Sequence, residues 1–293
     1  MVHKRYYLLL LFLLIVFLGK NLNAEEVVFS EEIKEFYEKG IEIDRLEKGY
    51  GILEKHRTEK ILNQYLPKGS LTILDVGGAT GVYAFDLAKK GHNVYLIDPV
   101  AFHIEEAKKI AENQKKYPLK GYIVGDARKL PMEDSSVDVV LFFGPLYHLD
   151  KENRNIALSE AYRVLKPEGM LLAVGISKFA PIGTSIVNNK LNSPQICESI
   201  EENLKHGVLN WKSTTFYCHT PEELKNEVLK VGFENVELLA IEGIGSWQKS
   251  ILDGKYEKDE EFRQKLLYFI EKTEKESSIL GLSNHIMAVA KKK

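Results

Sequence analysis

From Leu71 to Gly81 the chain reads LTILDVGGATG. An apolar, β-branched run ends in Asp75, passes through glycines and small residues, and enters a segment, 82–90, of helical composition. This order predicts a strand, a tight loop and a helix start. A loop without side chains lets a ligand approach the backbone, and the free N–H groups of the first helical turn favour electron-rich ligand atoms. The stretch therefore predicts the floor of a site for a nucleotide-type cofactor.

Acidic residues stand at the ends of the next two predicted strands. The second apolar run ends at Asp98, 17 residues after Gly81, and the third is followed by Asp126. In dinucleotide-binding folds an acid about 20 residues beyond the glycines accepts hydrogen bonds from ribose hydroxyls. Because the carboxyl ends of parallel strands share one edge of a sheet, we expect Asp75, Asp98 and Asp126 to line one crevice.

The middle of the chain continues the alternation of strand and helix. A fourth apolar run, 137–143, enters a loop that contains Tyr147 and His148. A helical segment follows, and a turn at 166–169 leads into a fifth run, 170–176. Alternating strands and helices with short connections predict an α/β fold with a doubly wound, Rossmann-like parallel sheet.

The second half of the chain interrupts this rhythm twice. The stretch 177–219 is polar and long enough for a helical insertion or a lid over the carboxyl edge of the sheet. Thr220 then opens a helix with a capping box and a proline at the first helical position. Two late strands are predicted at 236–241 and 286–290, with a second insertion, 243–282, between them.

The length and composition permit one large domain. The chain has 293 residues, of which 44% are hydrophobic and 28% charged, and this suffices for a single α/β core with elaborations. We predict a separate N-terminal segment over 1–24 and one domain over 25–293. The domain core comprises about 71–176, 220–242 and 283–291.

Net charge and cysteine content exclude several functions. The formal net charge is −2, and the scattered Lys and Arg residues leave no electrostatic footprint for nucleic acid, so no DNA or RNA partner is expected. Cys197 and Cys218 lack CxxC spacing and a His cluster, so neither a metal site nor a redox motif is predicted.

The N-terminus has the pattern of a targeting segment. Lys4 and Arg5 precede an apolar run, 6–19, and Ala24 offers a small residue before a cleavage position. This pattern fits a secretory signal peptide, and the run is short for a spanning helix. The alternatives are an uncleaved membrane anchor and a cytoplasmic protein with a mis-assigned upstream start. Membrane contact is expected only through this segment, and only if it is not cleaved.

Several motifs together resemble those of one enzyme family. They are Leu74–Gly81, Leu96–Asp98, Gly125–Ala127 and Arg163–Leu171. In this order they look like the successive motifs of class I S-adenosylmethionine-dependent methyltransferases, and most of all those of the ubiquinone/menaquinone-biosynthesis-like branch. From about Glu32 onward the chain also resembles a group of bacterial small-molecule methyltransferases of this type.

The resemblance implies a sheet, a cofactor and a set of contacts. In this family the sheet has seven strands and the last is antiparallel, which suits the two late strands. The implied cofactor is S-adenosylmethionine. Ala79 stands where many members carry glycine. The implied contacts are Asp75 and the backbone of Gly77, Gly78 and Gly81 with the methionine moiety, Asp98 with the ribose hydroxyls, Asp126 and Ala127 with the adenine edge, and Phe143 with the methyl-donor pocket.

Tyr147 and His148 are candidate catalytic residues. A loop directly after the fourth strand would face the transferred methyl group, where a histidine can serve as general base near neutral pH. The alternative is a loop that only defines the shape of the site, with the histidine capping a backbone carbonyl. Methyl transfer from a sulfonium needs a base only when the acceptor is poorly ionised, so no base is obligatory.

The sequence therefore predicts transfer of a methyl group from S-adenosylmethionine to an O, N, C or S atom of a small molecule. A nicotinamide oxidoreductase is disfavoured, because the fingerprint G-x-G-x-x-G cannot be placed on Gly77–Gly81. The other alternative is a non-catalytic cofactor-binding or scaffold protein on the same fold, since a methyl donor made in the cytosol is not expected in an exported protein. The sequence specifies neither the acceptor nor the oligomeric state.

Overall fold

Strands and helices alternate along the chain as the sequence predicts. The computed structural model describes residues 31–40, 42–114, 117–211 and 214–293. Its strands are β1 (Thr72–Val76), β2 (Asn93–Asp98), β3 (Gly121–Val124), β4 (Val137–Phe142), β5 (Leu165–Ser177), β6 (Val208–Trp211), β7 (Thr214–His219), β8 (Glu234–Ala240) and β9 (His285–Lys291). Its helices are α1 (Glu31–Glu38), α2 (Tyr50–Tyr65), α3 (Val82–Lys89), α4 (Ala101–Gln114), α5 (Lys151–Val164), α6 (Ala180–Val187), α7 (Pro194–His206), α8 (Pro221–Val231), α9 (Lys249–Leu252), α10 (Lys255–Lys258), α11 (Glu260–Thr273) and α12 (Ser277–Leu280). Single 3₁₀ turns lie at Arg45–Glu47, Pro145–His148 and Gly243–Gly245.

Seven strands form the doubly wound sheet, in the order β3, β2, β1, β4, β5, β9, β8. The strands from β3 to β5 pair in parallel, and β9 is antiparallel to both β5 and β8. The predicted Rossmann-like sheet with an antiparallel last strand is confirmed. From β1 the chain moves outward to β3 and then returns to β4 on the other side of β1. This reversal leaves a crevice at the carboxyl ends of β1 and β4, where such folds bind ligands.

Helices cover both faces of the sheet. On one face α2 and α3 pack on a cluster that includes Ile73 and Leu141, and on the other face α5 and α8 pack on a cluster that includes Leu74 and Val140. Neighbouring residues of one strand thus point into different apolar layers, which explains the continuous apolar runs of the sequence. Glu32–Lys293 form one compact unit.

The strand-end acids lie at one edge of the sheet, as predicted. Asp75 pairs in register with Leu96, and Asp98 pairs with Val124. Asp98 therefore lies two residues beyond the level of Asp75, and Asp126 follows β3 at the same edge.

The stretch 177–219 contains a hairpin that the sequence did not reveal. A helical insertion or lid was predicted, and α6 and α7 are indeed followed by the antiparallel pair β6 and β7. The strand β7 pairs in parallel with β5 through Ile176 and Ser177 only, beyond Ala173, where the pairing of β4 with β5 ends. The hairpin therefore continues the sheet past the carboxyl end of β4. Because β7 pairs with β5 over only two residues, the sequence shows no alternation of apolar and polar residues that would predict this strand.

The predicted turn at 166–169 is part of a strand. β5 begins at Leu165, and the chain forms a bulge, because Val137 pairs with Leu165 whereas Val139 pairs with Met170. Glu168 has a φ of 62° within this bulge. The capping box at Thr220 is present as predicted.

Two further observations concern the predicted leader and membrane-spanning helices. The predicted leader, 1–24, lies outside the residues that the structure describes. Within the described part, the helices all lack the combination of length and apolarity that crossing a bilayer requires.

Candidate active site

The glycine loop after β1 has a backbone that side chains would obstruct. Gly77 and Gly81 have φ values of 69° and 85°, in the left-handed region that glycine adopts without strain. A Cβ on Gly78 would lie 2.6 Å from the carboxyl carbon of Asp75 and from Leu96. The glycines therefore let this loop pack closely on Asp75 and Leu96.

The loop after β4 rests directly on the glycine loop. A Cβ on Gly144 would lie 2.9 Å from the carbonyl oxygen of Gly77, and one on Gly77 would lie 3.0 Å from Cδ of Pro145. The two loops thus meet at the reversal point of the sheet, and the 3₁₀ turn with Tyr147 and His148 begins at this contact.

Asp75 is a buried acid with few hydrogen-bonding partners. Its side chain is completely buried, and neither carboxylate oxygen accepts a hydrogen bond of normal geometry from the described residues, although the backbone N–H of Ala84 acts on it and lowers its pKa. Burial, and then the nearby charge of Asp98, raises the pKa of Asp75 to about 7. Buried polar atoms usually have partners, so this carboxylate marks a place where a ligand or an ordered water completes the site.

The contribution of Asp75 to the free energy of unfolding is expected to fall as the pH rises from about 4 to about 7, and the difference between the wild type and Asp75→Asn isolates it. The ordinary pKa of the Asp75 carboxyl is 3.8 and the folded value is about 7, so unfolding releases a proton within this window. Asp75→Asn removes the titration and should stabilise the ligand-free protein above pH 7 by on the order of 3 kcal/mol. Denaturant unfolding at pH 5 and pH 8 measures this. Parallel pH dependences for the two proteins would contradict it.

Asp98 is held in place by the chain around it. Its Oδ2 accepts the backbone N–H of Ala79 at 2.9 Å, and its Oδ1 accepts the N–H of Val100 at 2.9 Å and contacts Nδ1 of His103 at 3.0 Å. The side chain is buried. A carboxylate has about four lone-pair positions, so three are filled among the described residues and one on Oδ2 is left for a ligand hydroxyl.

Ala79 occupies the left-handed region, with a φ of 48°. An L-residue loses roughly 1 to 2 kcal/mol there, whereas a glycine costs about 0.4 to 1 kcal/mol through the entropy of the unfolded chain. We therefore expect Ala79→Gly to leave the melting temperature unchanged or to raise it by a few degrees. Thr80→Gly is the matched control, since Thr80 has no positive φ and should lose stability. If Ala79→Gly unfolds at a lower temperature than Thr80→Gly, the backbone of Ala79 is not strained.

The third acid, Asp126, is bound by an arginine two residues later. Nε and the backbone N–H of Arg128 both donate to its Oδ1 at 2.8 Å, and Nη2 of Arg128 donates to Oδ2. Ala127 is buried next to it, in the apolar cluster that includes Leu74 and Val140. The guanidinium fixes the carboxylate of Asp126 at the edge of the crevice, and its predicted contact with adenine stays a prediction.

The turn after β4 carries the two predicted catalytic residues. The hydroxyl of Tyr147 donates to the carbonyl oxygen of Phe143 at 3.1 Å. Nε2 of His148 lies 2.7 Å from the hydroxyl of Tyr37 on α1. Burial lowers the pKa of His148 to about 3, so the imidazole is neutral at physiological pH.

Aromatic rings enclose this turn. The ring of His148 lies 4.8 Å from that of Tyr147, 5.4 Å from that of Tyr37 and 5.0 Å from that of Phe216, which belongs to the hairpin strand β7. Phe143 packs edge-on against Tyr83 at 5.4 Å. Both the N-terminal helix and the hairpin therefore contribute to the crevice.

Several site residues were not singled out from the sequence. Tyr37, Phe216 and His103 are not among the residues that the sequence predicts for the site. His103 is buried beside Asp98, and its Nε2 has no partner among the described residues. A usable signal existed for His103, because it lies five residues after a strand-end acid, in the first turn of a helix.

A family comparison identifies the central part of the chain. Residues 74–173 match the model of a methyltransferase domain. This region is therefore similar to that domain family. The match spans β1 to β5 and so includes the glycine loop, the strand-end acids and the Tyr147–His148 turn.

The curated relatives are ubiquinone/menaquinone biosynthesis C-methyltransferases named UbiE. The protein of a Ruegeria species is 33% identical over 128 residues, which is 42% of this chain and 50% of the relative. That of Dinoroseobacter shibae is 28% identical over 174 residues, 50% of this chain and 66% of the relative. The chain thus spans about half to two thirds of the length of these relatives.

Solved structures of other proteins share the fold of this chain. Haemonchus contortus phosphoethanolamine N-methyltransferase 2, in complex with S-adenosyl-L-methionine, has a TM-score of 0.59 at 18% identity, covering 92% of this chain and 60% of its own. A Pyrococcus horikoshii protein has a TM-score of 0.59 at 19% identity, covering 88% and 99%. At these identities the likeness is one of fold.

Proposed function

We propose that this protein transfers the methyl group of S-adenosylmethionine to a small-molecule acceptor. The observation that carries the proposal is the glycine-rich loop at the reversal point of the sheet, with Asp98 fixed beside it and the carboxylate of Asp75 buried under it. The match to a methyltransferase domain and the UbiE relatives support the same reaction.

The chain's own residues fit this cofactor. The backbone of Gly77, Gly78 and Gly81 would hold the methionine moiety, and the open lone pair of Asp98 would accept a ribose hydroxyl. When bound, the cofactor supplies an activated methyl group on a sulfonium. The site must then exclude water and aim the acceptor along the carbon–sulfur axis. Asp126 and Ala127 are proposed to border the adenine, and Phe143 the reacting methyl group.

On the acceptor side, we assign Tyr147 and His148 a positioning role. A histidine whose pKa is about 3 holds a proton too weakly to act as an effective base at neutral pH. Its Nε2 is also already engaged with the hydroxyl of Tyr37. Burial raises the pKa of Tyr147, with Glu42 adding to the effect, so its hydroxyl stays protonated. The interpretation of His148 as shape-defining is therefore preferred over general-base catalysis.

The N-terminal segment and the two insertions are assigned separate roles. The segment 1–24 is proposed as a secretory signal or an anchor, on the strength of its basic and apolar pattern, with 25–293 as the mature domain. The stretches 177–219 and 243–282 are insertions into the core, and the hairpin of the first borders the acceptor side. N-terminal sequencing of the protein from fractionated cells tests the leader directly.

A non-catalytic cofactor-binding or scaffold protein on this fold is the second candidate. SpnF, a 4+2 cyclase, has the same fold with a TM-score of 0.52 at 16% identity, covering 82% of this chain and 80% of its own. Fold alone therefore does not specify the reaction.

Calorimetry on the purified full-length protein is the first test of the proposal. S-adenosylmethionine and S-adenosylhomocysteine are expected to bind, and NADH is not. Label transfer from methyl-labelled S-adenosylmethionine into a small-molecule extract then tests turnover. Absence of cofactor binding would refute the proposal, and binding without any transfer would favour the non-catalytic alternative.

A further inference from the structure

A second polar cluster lies at the same edge of the sheet, outside the glycine loop. Glu242 follows β8, and His285 opens β9 opposite Ile176 of β5. Because β9 runs antiparallel, its first residue lies at the carboxyl edge of the parallel strands. Glu54 reaches the cluster from α2, which covers this face.

A buried carboxylate orients the imidazole of His285. Nδ1 of His285 lies 2.6 Å from Oε1 of Glu242, whose Oε2 accepts the hydroxyl of Ser283 at 2.9 Å and the backbone N–H of His285 at 3.0 Å. Glu242 is 1% exposed. The hydrogen bond to Nδ1 fixes the ring, and it leaves Nε2 as the nitrogen that a ligand can reach.

The other charges of the cluster are already matched. Arg45 donates to both oxygens of Glu54, at 2.6 and 3.0 Å, and to Glu42 at 2.7 Å. Glu54 lies 3.9 Å from Nδ1 of His285. Nε2 of His285 has no hydrogen bond to the part of the chain that the structure describes, and the side chain is 22% exposed. Of the groups in this cluster, this nitrogen is the one that stays available to a ligand.

The imidazole carries a proton at neutral pH. Burial lowers the pKa of His285, but the carboxylates of Glu242 and Glu54 outweigh burial and Arg45 and raise it to about 9. The ring is therefore an imidazolium, and its Nε2–H is a charged donor. A charged donor pairs best with an anionic oxygen, whereas an ammonium group would be repelled.

The cluster and the turn with Tyr147 lie at the same carboxyl edge of the sheet. His285 opens β9 opposite Ile176 of β5, and the turn follows the carboxyl end of β4, which pairs with β5. A small molecule bound at this edge for methyl transfer is therefore a candidate ligand of His285.

A metal ion is the competing occupant. Glu54, Glu242 and His285 offer three ligand atoms within 4.8 Å of one another. A metal would have to displace the proton of Nδ1 and compete with the guanidinium of Arg45 for Glu54. The hydrogen-bonded arrangement satisfies these groups without an ion.

We propose that Nε2–H of His285, oriented by Glu242, binds an anionic oxygen of the methyl acceptor. The oxygen belongs to a carboxylate, a phosphate monoester or an ionised phenol. This inference rests on the proposed function in one respect: only methyl transfer makes the bound anion an acceptor.

The test follows the histidine ring signals of the full-length, ¹⁵N-histidine-labelled protein by NMR, with and without S-adenosylhomocysteine. Benzoate, phenyl phosphate and benzylamine are matched probes that differ in their charged group. We expect the two anions to shift the Nε2 signal of His285, identified by its loss in His285→Gln, and benzylamine not to shift it. His285→Gln should weaken binding of the better anion at least about tenfold. Benzoate and phenyl phosphate together distinguish a carboxylate from a phosphate site.

Two further measurements guard against a merely misfolded variant. Glu54→Gln removes a carboxylate that is less buried than Glu242. It should lower the pKa of His285 without loss of the fold. Anion affinity should fall as the pH rises through about 9, because the donor loses its proton while facing Glu242, Glu54 and Arg45. Equal anion affinity in the wild type and His285→Gln, or a shift of the His285 signal by micromolar Zn²⁺ or Mg²⁺, would overturn the inference. Titrations of the anions without S-adenosylhomocysteine measure binding at His285 even if the protein is not a methyltransferase.

Discussion

Asp98→Ala is expected to weaken binding of S-adenosylmethionine by about 100-fold or more. Loss of a hydrogen bond to a charged group costs roughly 1.5 to 3 kcal/mol, and the loop loses its anchor as well. The carboxylate joins the N–H of Ala79 in the glycine loop to Val100 and His103 at the start of α4. Its removal therefore affects both the ligand contact and the shape of the loop. Calorimetric titration of the purified protein measures the change.

A conservative variant separates these two effects. His103→Gln keeps Asp98 but removes the imidazole that contacts Oδ1, and it should weaken cofactor binding less than tenfold. Asp126→Ala is the second comparison, because that carboxylate is already paired with Arg128. If Asp98→Ala binds S-adenosylmethionine as tightly as the wild type, Asp98 does not contact the cofactor and the assignment of the glycine loop is wrong.

Arg154→Ala is expected to lower the free energy of unfolding by about 3 to 5 kcal/mol. The guanidinium is 1% exposed and binds both oxygens of Glu227 on α8, at 2.7 and 2.8 Å. It also donates to the carbonyl oxygen of Leu149 at 2.8 Å and lies 3.7 Å from the ring centre of Tyr217 in the hairpin. Its loss leaves the partly buried carboxylate of Glu227 with His219, at 3.4 Å, but without its guanidinium partner. Denaturant unfolding at neutral pH measures the change.

A double variant tests whether the buried charge explains the loss. Arg154→Met combined with Glu227→Leu removes both charges and should recover most of the lost stability. Burial raises the pKa of Glu227, but His219 and Arg154 outweigh it and hold the pKa near 2, so the pair's contribution is present above pH 4.5 and is lost as the pH falls toward 2. A loss below about 1 kcal/mol for Arg154→Ala would mean that the pair behaves like an exposed one.

The sheet and the cofactor side of the site could be predicted from the sequence because their determinants are local. Gly77 and Gly81 have positive φ values, and Asp75 and Asp98 stand at the ends of apolar runs. Each of these features is visible within about ten residues of sequence. The order of strands then follows from the alternation of strand and helix.

The acceptor side could not be predicted because its contacts join distant parts of the chain. The hydroxyl of Tyr37 and Nε2 of His148 are 111 residues apart in sequence. The hairpin that brings Phe216 to His148 meets β5 over two residues only. Glu242 and His285 are separated by an insertion of about 40 residues, and nothing in its composition indicates that its ends meet. The contribution of the N-terminal helix and both insertions is thus a tertiary property.

The contact between the two loops at the reversal point has a thermodynamic consequence. Gly144 fits against the carbonyl oxygen of Gly77 with no room for a side chain, so neither loop can shift without moving the other. A cofactor that fixes the conformation of the glycine loop therefore also changes the turn after β4, which is the turn proposed to position the acceptor. We expect cofactor and acceptor to bind cooperatively, and linkage requires each to change the affinity for the other by the same factor.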